Sequence, residues 1–142
     1  MGNPYIIRLL ELQFLKKLEA NKVMLILGAR RTGKTSFLKN FIKSLKQEPL
    51  LMNGEDLNTH RILEERTINN YKKITENYKV VIIDEAQKIP DIGIKLKLMV
   101  DEIDGIKIIA TGSSTFDLNK SLGEPLTGRK KTFYMYPLAQ AE

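Results

Sequence analysis

The sequence predicts an α/β fold in which helices cover both faces of a parallel sheet. The run at 80–83 is β-branched and has no polar alternation, which is typical of a strand that is buried on both faces. The apolar run at 23–27 and the largely apolar run at 106–110 are predicted to be two further strands of the same sheet. Segments in which apolar residues recur at helical spacing separate these runs. Strands that alternate with helices indicate a doubly wound sheet with right-handed crossovers. In such sheets ligands bind at the carboxyl ends of the strands, so the residues that follow the three runs are candidates for a site.

The first half of the chain is predicted to contain two helices and two strands. Asn3-Pro4 is a typical helix entry, and it precedes an amphipathic helix that should end near residues 20–21, with an apolar stripe of Ile6, Ile7, Leu10, Phe14, Leu15 and Leu18. The strand at 23–27 follows. The next helix has a buried face of Phe37, Leu38, Phe41, Ile42 and Leu45. Pro49 closes this helix, and residues 50–52 form a short strand before the turn Asn53-Gly54.

The second half continues the alternation. Residues 55–78 are polar with a loose helical rhythm, which predicts one or two helices. After the strand at 80–83, Pro90-Asp91 starts a helix whose predicted apolar side is Ile94, Leu96, Leu98, Met99 and Ile103. The strand at 106–110 precedes a short helical stretch at 116–122 and a last strand at 132–136.

One motif connects the first strand to the following helix: Gly28-Ala29-Arg30-Arg31-Thr32-Gly33-Lys34-Thr35. It matches the Gly-x-x-x-x-Gly-Lys-Thr phosphate loop in its strand–loop–helix setting. The two glycines allow backbone N–H groups to approach a triphosphate, and the positive end of the helix dipole favours the same anion. Lys34 can reach the β- and γ-phosphates, and the Thr35 hydroxyl can ligate Mg²⁺. The motif predicts a nucleotide site; the alternative is a glycine-rich turn with a solvated lysine.

Polar residues at the ends of the other buried runs extend this site. Asp84 is the expected second magnesium ligand, directly or through a water, and Glu85 can deprotonate the water that attacks the γ-phosphate. The alternative is a pair of acids that merely enter a helix. Thr111 is predicted to bind the attacking water or the γ-phosphate, with Ser113 and Ser114 as rival candidates or helix caps.

Three arginines are further candidates for the site. Arg129, in the basic segment just before the last strand, could stabilise charge on the transferred phosphoryl group, in cis or from a neighbouring subunit. A surface arginine in a basic turn accounts for the sequence equally well. Arg30 and Arg31 could flank the phosphates, face a partner or be solvated.

Composition excludes several other classes of protein. The chain has 142 residues, 42% of them hydrophobic, which predicts one globular domain. The absence of cysteine excludes disulfides and thiolate metal sites and suits a reducing cytoplasm. His60 is the single histidine, so the sequence gives little support to a histidine metal cluster or a Ser-His-Asp triad. No apolar run is long enough for a membrane span or a signal peptide.

The formal net charge of +6 has two interpretations. It could mark a nucleic-acid surface, or it could be the lysine-rich surface of a phosphate-binding protein. The lysines are spread along the chain rather than gathered in one block, which favours the second interpretation.

Together these motifs resemble the AAA+ superfamily of ATPases, and more narrowly the bacterial and archaeal AAA-domain ATPases that carry a C-terminal domain of unknown function. The resemblance covers nearly the whole chain. It rests on an N-terminal helix with Arg8, the loop from Gly28 through Ser36, Ile83-Asp84-Glu85-Ala86-Gln87-Lys88-Ile89-Pro90, Thr111-Gly112-Ser113-Ser114, Leu126-Thr127-Gly128-Arg129 and Tyr136-Pro137-Leu138. Many ATPases share the loop and acid motifs, and their combination with Thr-Gly-Ser and Leu-Thr-Gly-Arg narrows the family. The final residues 139–142 depart from the Ser-Phe-containing end that the family leads us to expect.

The resemblance implies a three-layer P-loop NTPase sandwich with a parallel five-stranded sheet of order 5-1-4-3-2. It implies Mg²⁺-dependent ATP hydrolysis by a cytoplasmic AAA-type core over residues 1–142, which acts as a nucleotide-driven switch. Residues 28–36 would bind ATP, and Thr35 and Asp84 would hold the metal. The catalytic set would be Glu85, Lys34, Thr111 and Arg129. A winged-helix-like lid and a further domain would follow residue 142, and self-association or a protein partner is expected.

Three other functions are compatible with parts of the sequence. The first is a nucleic-acid-binding module with a regulatory nucleotide site, which predicts salt-dependent binding. The second is a helicase, because Asp84-Glu85-Ala86-Gln87 and Thr111-Gly112-Ser113 are similar to helicase motifs; however, Arg31 stands where those loops need glycine, and the chain has room for one motor domain. The third is a small-molecule kinase, although Glu85 beside Asp84 suits water activation better than phosphate transfer.

Overall fold

A computed structural model of the protein describes residues 12–28, 34–113 and 125–135, apart from the side chains of Lys34, Thr35 and Ser113. Several predictions lie outside these residues. They concern the start of the N-terminal helix, loop residues 29–33, the helical stretch at 116–122 and the end of the chain after residue 135.

Five parallel strands form the sheet, in the order β2-β3-β4-β1-β5. Their bounds are β1 (Lys22–Gly28), β2 (Leu50–Asn53), β3 (Val80–Asp84), β4 (Lys107–Ser113) and β5 (Lys130–Met135). This is the predicted order 5-1-4-3-2, counted from the other side of the sheet. The strand that carries Thr111 therefore lies between the strand that ends at Gly28 and the strand that ends at Asp84, as predicted.

Helices connect the strands on both sides of the sheet. They are α1 (Lys34–Ser44), α2 (Leu57–Glu64), α3 (Ile68–Thr75) and α4 (Ile92–Glu102), and residues 12–17 are also helical. The prediction of one or two helices between 55 and 78 resolves into two, because Asp56 and Thr67 each accept a backbone N–H and cap α2 and α3. Within the described residues, no helix is long and apolar enough to cross a bilayer.

Successive residues of β1 alternate between two hydrophobic cores, as the pleat of a strand requires. Val23, Leu25 and Leu27 pack in a first core with α2, α3 and α4, whereas Met24 and Ile26 pack in a second core with α1 and the N-terminal helical residues. In the first core, Tyr71 donates its hydroxyl to the carbonyl of Leu63 at 3.0 Å, and burial raises the pKa of Tyr71 to about 12. Two cores on the two faces of one sheet make the predicted three-layer sandwich.

The second core confirms most of the predicted face of α1. Phe37, Leu38 and Phe41 are buried, and Ile42 and Leu45 are partly buried against them. Edge-to-face ring contacts join Phe14 of the N-terminal helical segment to Phe37 at 5.4 Å and to Phe41 at 5.0 Å. The interlocking rings fix α1, and with it the end of the phosphate loop, against the sheet.

The buried face of α4 differs from the prediction. Leu96 and Met99 are buried as expected, and Leu98 and Ile103 pack partly against the first core, but Ile94 is 43% exposed. The remaining buried positions are Ile92, Gly93, Lys95 and Val100. Asp91, which precedes the helix, has a left-handed backbone with φ of 54°. The spacing of the apolar residues did not predict which face of the helix turns toward the core.

Element ends differ from the predictions by a few residues. The N-terminal helical segment ends at residue 17 rather than near 20–21, and Leu15 on its predicted apolar stripe is 44% exposed. The last strand begins at Lys130 rather than at residue 132, because Lys130 and Lys131 already pair with Val23 and Met24 of β1.

Candidate functional site

Three strands bring their final residues to one edge of the sheet, which we call the carboxyl edge. Gly28 of β1 pairs with Ser113 of β4, and Ile83 of β3 pairs with Ala110 of the same strand. Asp84 and Thr111, one residue further along, are therefore neighbours on adjacent strands. Because one strand separates β3 from β1, the acidic end of β3 lies about 10 Å across the sheet from the strand that enters the phosphate loop.

The ends of the phosphate loop have the predicted setting. Gly28 is the last residue of β1 and is buried, and Lys34 is the first residue of α1. Only residues 29–33 connect them, so the N-terminus of α1 must begin close to the carboxyl edge. Ser36 in the first turn of α1 is exposed. Ala29, Arg30, Arg31, Thr32 and Gly33 lie outside the residues that the structure describes, as do the side chains of Lys34 and Thr35.

Asp84 is oriented by two hydrogen bonds. The hydroxyl of Thr111 and the backbone N–H of Glu85 both donate to Oδ1 of Asp84, the latter at 3.1 Å. Thr111 is fully buried, and the Glu85 N–H also lies within 3.3 Å of its hydroxyl oxygen. Hydrogen bonds to an ionised acceptor are about twice as strong as neutral ones, so the Asp84 carboxylate is held in one orientation. Among the described residues, the hydrogen bonds to this carboxylate end on Oδ1.

The chemistry of these groups fits magnesium better than a transition metal. Mg²⁺ prefers oxygen ligands and is usually held by one or two carboxylates together with phosphates and water. A half-buried Asp84 with one oriented carboxylate supplies that kind of ligand. Over residues 12–28, 34–113 and 125–135, His, Cys, Asp and Glu do not gather into a group of three or more that could hold an ion by themselves.

Glu85 has an unusual backbone conformation. Its φ of 50° and ψ of 47° place it in the left-handed region, where it opens the 3₁₀ turn Ala86–Lys88. Gly54, just after β2, lies directly against it: a Cβ built on Gly54 would be 2.0 Å from the carbonyl oxygen of Glu85. The N–H of Gly54 donates to the carbonyl of Asp84 at 2.8 Å. The backbone at Asp84–Glu85 is therefore fixed by the end of β2.

Sequence reasoning missed two neighbours of Glu85. In the sequence Gly54 indicates only a turn, and no local signal shows that a glycine will meet a distant carbonyl. Gln87 enters the sequence reasoning only as part of a motif, but its side-chain Nε2 donates to Oε1 of Glu85 at 2.9 Å. Its position two residues after the acid, in the turn that follows a strand, is a signal that could have indicated this contact.

Arg129 does not join the other predicted site residues. It immediately precedes β5, and its carbonyl accepts from the N–H of Val23 at the start of β1. It therefore lies at the opposite edge of the sheet, which we call the amino edge. Its Nε donates to Oδ1 of Asp101 at 2.7 Å. A strand of this length separates the two edges by roughly 15–20 Å, so the fold does not support a role in cis, and a role in trans stays a prediction.

Comparison with protein families gives a direct assignment. A family model described as AAA domain matches residues 20–142. The chain belongs to this AAA domain family. An uncharacterised protein of Methanocaldococcus jannaschii is 33% identical over an alignment of 126 residues that covers 86% of this chain and 28% of that protein. The AAA domain thus spans little more than a quarter of the length of this relative.

Solved structures with the same fold extend the comparison. The AAA domain of FIGL-1 in complex with ADP superimposes with a TM-score of 0.55 and 17% identity, over 82% of this chain and 43% of that chain. A structure of Pif1 helicases, solved to explain DNA unwinding at forked double-stranded DNA, superimposes with a TM-score of 0.59 and 13% identity, over 96% of this chain and 44% of that chain. At these identities the likeness establishes the P-loop NTPase-like fold of the AAA domain.

Proposed function

We propose that this AAA domain binds ATP at the carboxyl edge and hydrolyses its γ-phosphate with the help of Mg²⁺. One observation carries the proposal: the Thr111 hydroxyl and the Glu85 N–H both hold Oδ1 of Asp84, on the strand beside the one that adjoins β1. Family membership supports the same class of function.

Phosphate binding is assigned to residues 28–36. Backbone N–H groups of this loop and the N-terminus of α1 would face the phosphates, and Lys34 would contact the β- and γ-phosphates as a point charge. Ordered packing of Phe37 and Phe41 on the sheet supports this assignment, because it fixes the helix whose dipole is used.

Thr35 and Asp84 are the proposed magnesium ligands. When bound, the metal would neutralise charge that develops on the phosphates. The role of the protein is to present oxygen atoms in a fixed position. Thr111 contributes indirectly, because its hydroxyl prevents the Asp84 carboxylate from rotating.

Glu85 is the proposed general base. A half-buried carboxylate next to the magnesium ligand can accept the proton of the water that attacks the γ-phosphate. Its rigid backbone, held by Gly54, would keep the carboxylate at a constant distance from the phosphate during the reaction. Loss of the γ-phosphate would then alter the surroundings of Glu85, and this change is the proposed basis of a nucleotide-driven switch. We propose that the protein is cytoplasmic and that the switch acts on a second copy of the chain or on another protein.

Release of phosphate by the wild type and by Glu85→Gln tests the assignment. We expect turnover to fall about 100-fold in Glu85→Gln, because a general base contributes roughly 10²- to 10⁴-fold. Binding of ATP, measured by titration calorimetry with Mg²⁺, should persist in Glu85→Gln, weaken with excess EDTA and be lost in Lys34→Ala. The control is Glu102→Gln, an exposed acid at the end of α4. Equal turnover in the wild type and Glu85→Gln would remove Glu85 from the chemistry.

A second candidate function, binding to nucleic acid, is favoured by the positions of four lysines. Lys22, Lys107 and Lys130 each begin a strand, and Lys79 directly precedes β3. The strands that they precede or begin are adjacent, and Lys22 pairs with Lys107 in register. The starts of adjacent strands lie about 5 Å apart along the amino edge, so these lysines concentrate positive charge there, which is suited to a phosphate backbone. Of the four, Lys22 also pairs with Glu19 at 3.7 Å.

Fluorescence anisotropy with a labelled single-stranded DNA tests this second function. Replacement of Lys79, Lys107 and Lys130 by glutamine should weaken binding and flatten its dependence on salt, because fewer counterions are released. Replacement of Lys43, Lys72 and Lys97, which lie in helices α1, α3 and α4, is the matched control. Affinity that is the same at low and high salt would contradict this function.

A further inference from the structure

We propose that Gln87 is a positioning residue for hydrolysis, which holds one oxygen of the Glu85 carboxylate so that the other faces the attacking water. The inference rests on the proposed function, because it assigns a role only if Glu85 is the general base. The role that we assign to Gln87 is toward the Glu85 carboxylate and is separate from the binding of ATP or the metal.

The hydrogen bond between the two side chains is the first argument. Nε2 of Gln87 donates to Oε1 of Glu85 at 2.9 Å. The hydrogen bond that this carboxylate accepts from described residues therefore ends on Oε1, and in the proposed reaction Oε2 is the oxygen that receives the proton. Asp84 shows the same division, since Thr111 and Glu85 both donate to its Oδ1. Each acid of the pair is thus held through one oxygen by neutral donors, two for Asp84 and one for Glu85.

A second argument is the other end of the Gln87 amide. Its Oε1 is buried and has no hydrogen-bond partner among the residues that the structure describes. Buried acceptors without a partner are destabilising, and stable proteins contain few of them. The unpartnered oxygen is explained if the N–H end of the amide must stay at Glu85 to orient its carboxylate.

The turn between the two residues gives the hydrogen bond a fixed geometry. Ala86 and Ile89 are buried in the first core and anchor the turn on the sheet. On its other side, the Glu85 carbonyl occupies the space that a Cβ of residue 54 would need, and the N–H of Gly54 donates to the Asp84 carbonyl at 2.8 Å. Because these contacts hold the backbone of the turn in place, the orientation of the Glu85 side chain depends on what its carboxylate contacts.

Gln87→Met is the most informative variant. It keeps the volume of the side chain but removes both the N–H donor and the unpartnered oxygen. We expect kcat to fall about tenfold, with KM and the Kd for ATP within twofold of wild type, while the thermal midpoint stays equal or rises. Gln87→Glu places a second carboxylate beside Glu85 and should lower kcat further. A merely structural residue would lower the thermal midpoint and turnover together.

The same substitution in a Glu85→Gln background separates positioning from structural damage. If Gln87 acts through Glu85, Gln87→Met should cause no further loss when Glu85 is already replaced, because coupled residues are not additive. Wild-type or raised kcat in Gln87→Met, or an equal loss in both backgrounds, would overturn the inference. If Glu85→Gln leaves turnover unchanged, the proposed function fails. If Glu85→Gln lowers turnover but Gln87→Met does not, the proposed function stands and this inference fails.

Discussion

The two edges of the sheet use polar side chains in opposite ways. At the carboxyl edge, Thr111, Gln87 and the Glu85 N–H all donate to the carboxylates of Asp84 and Glu85. These bonds all end on the two acids, and the one from Thr111 also joins β4 to β3. At the amino edge, polar groups satisfy helix ends and one another. The comparison teaches that a left-handed residue or a buried polar contact does not by itself indicate function. It indicates function where the contacts orient a carboxylate that can still bind a metal or accept a proton.

Asn21 shows the amino-edge pattern most clearly. It has φ of 59°, like Glu85, but its side chain is fully used. Its Nδ2 donates to the carbonyls of Val100 and Ile103 at 2.8 Å each, and its Oδ1 accepts from the N–H of Gly105 at 3.0 Å. Asn21 therefore caps the carboxyl end of α4 from a different part of the chain.

Ion pairs complete the amino edge. Arg129 pairs with Asp101, and Glu19 pairs with both Lys22 and Lys131. The hydrogen bond from Lys131 is the main reason that the pKa of Glu19 is lowered. These contacts lie near the surface, where ion pairs contribute little to stability.

Asn21→Ala should have the largest effect on stability. Loss of the carboxamide leaves helix carbonyls without a donor, and alanine is strained at positive φ, so we expect unfolding to become easier by about 3 kcal/mol. Thermal unfolding should show a fall of about 10 °C in the midpoint. Turnover per folded molecule should not change.

Asn21→Gly is the matched control, because glycine accepts the left-handed conformation but cannot cap α4. It should be about 1 kcal/mol more stable than Asn21→Ala. If Asn21→Ala lowered turnover without affecting stability, the division between the two edges would be wrong.

Thr111→Val should affect catalysis more than stability. Valine fills the same buried space but removes the donor to Asp84, so we expect turnover to fall about thirtyfold, equivalent to about 2 kcal/mol. A higher Mg²⁺ concentration for half-maximal activity should accompany it. Thr111→Ser, which keeps the hydroxyl, should retain most of the activity. Wild-type magnesium dependence in Thr111→Val would show that the hydroxyl does not orient the metal ligand.

Arg129→Gln should have the smallest effect. Its side chain is 37% exposed and that of Asp101 is 35% exposed, so loss of the pair should cost about 0.5 kcal/mol in the free energy of unfolding. Turnover should depend on Arg129 only if it acts in trans, in which case mixing Arg129→Gln with Glu85→Gln should restore activity above that of either variant. A loss of activity in Arg129→Gln at a dilution where the protein is monomeric would contradict its placement at the far edge.

Much of the fold could be predicted because the strands of a parallel sheet are apolar on both faces. A short β-branched run such as Val80–Ile83 is typical of a buried strand, and the order of the strands followed from the family resemblance. Helix phase was harder to predict. The burial of Ile92 and the exposure of Ile94 depend on the left-handed entry at Asp91, which leaves no mark on the periodicity of apolar residues.

The sequence predicted the site residues that directly follow buried strands. It did not predict contacts that depend on backbone atoms of distant segments. Asp84 and Thr111 are brought together, because each follows a buried run and the sheet is parallel. The contact between Gly54 and Glu85 joins two strand ends more than thirty residues apart in the sequence, and it depends on backbone atoms that every residue type shares. Arg129 lies at the amino edge because β5 begins at Lys130, directly after it. The sequence placed the start of this strand at residue 132 and did not show at which edge Arg129 would lie.

An amide NMR titration with MgATP would test the central claim most directly, because it reports on both edges at once. The account predicts that signals of Gly28, Glu85 and Gly112 shift as ATP is added, while those of Asn21, Gly105 and Arg129 stay in place. Shifts confined to the amino edge, or no shift at millimolar MgATP, would contradict an ATP site at the carboxyl edge.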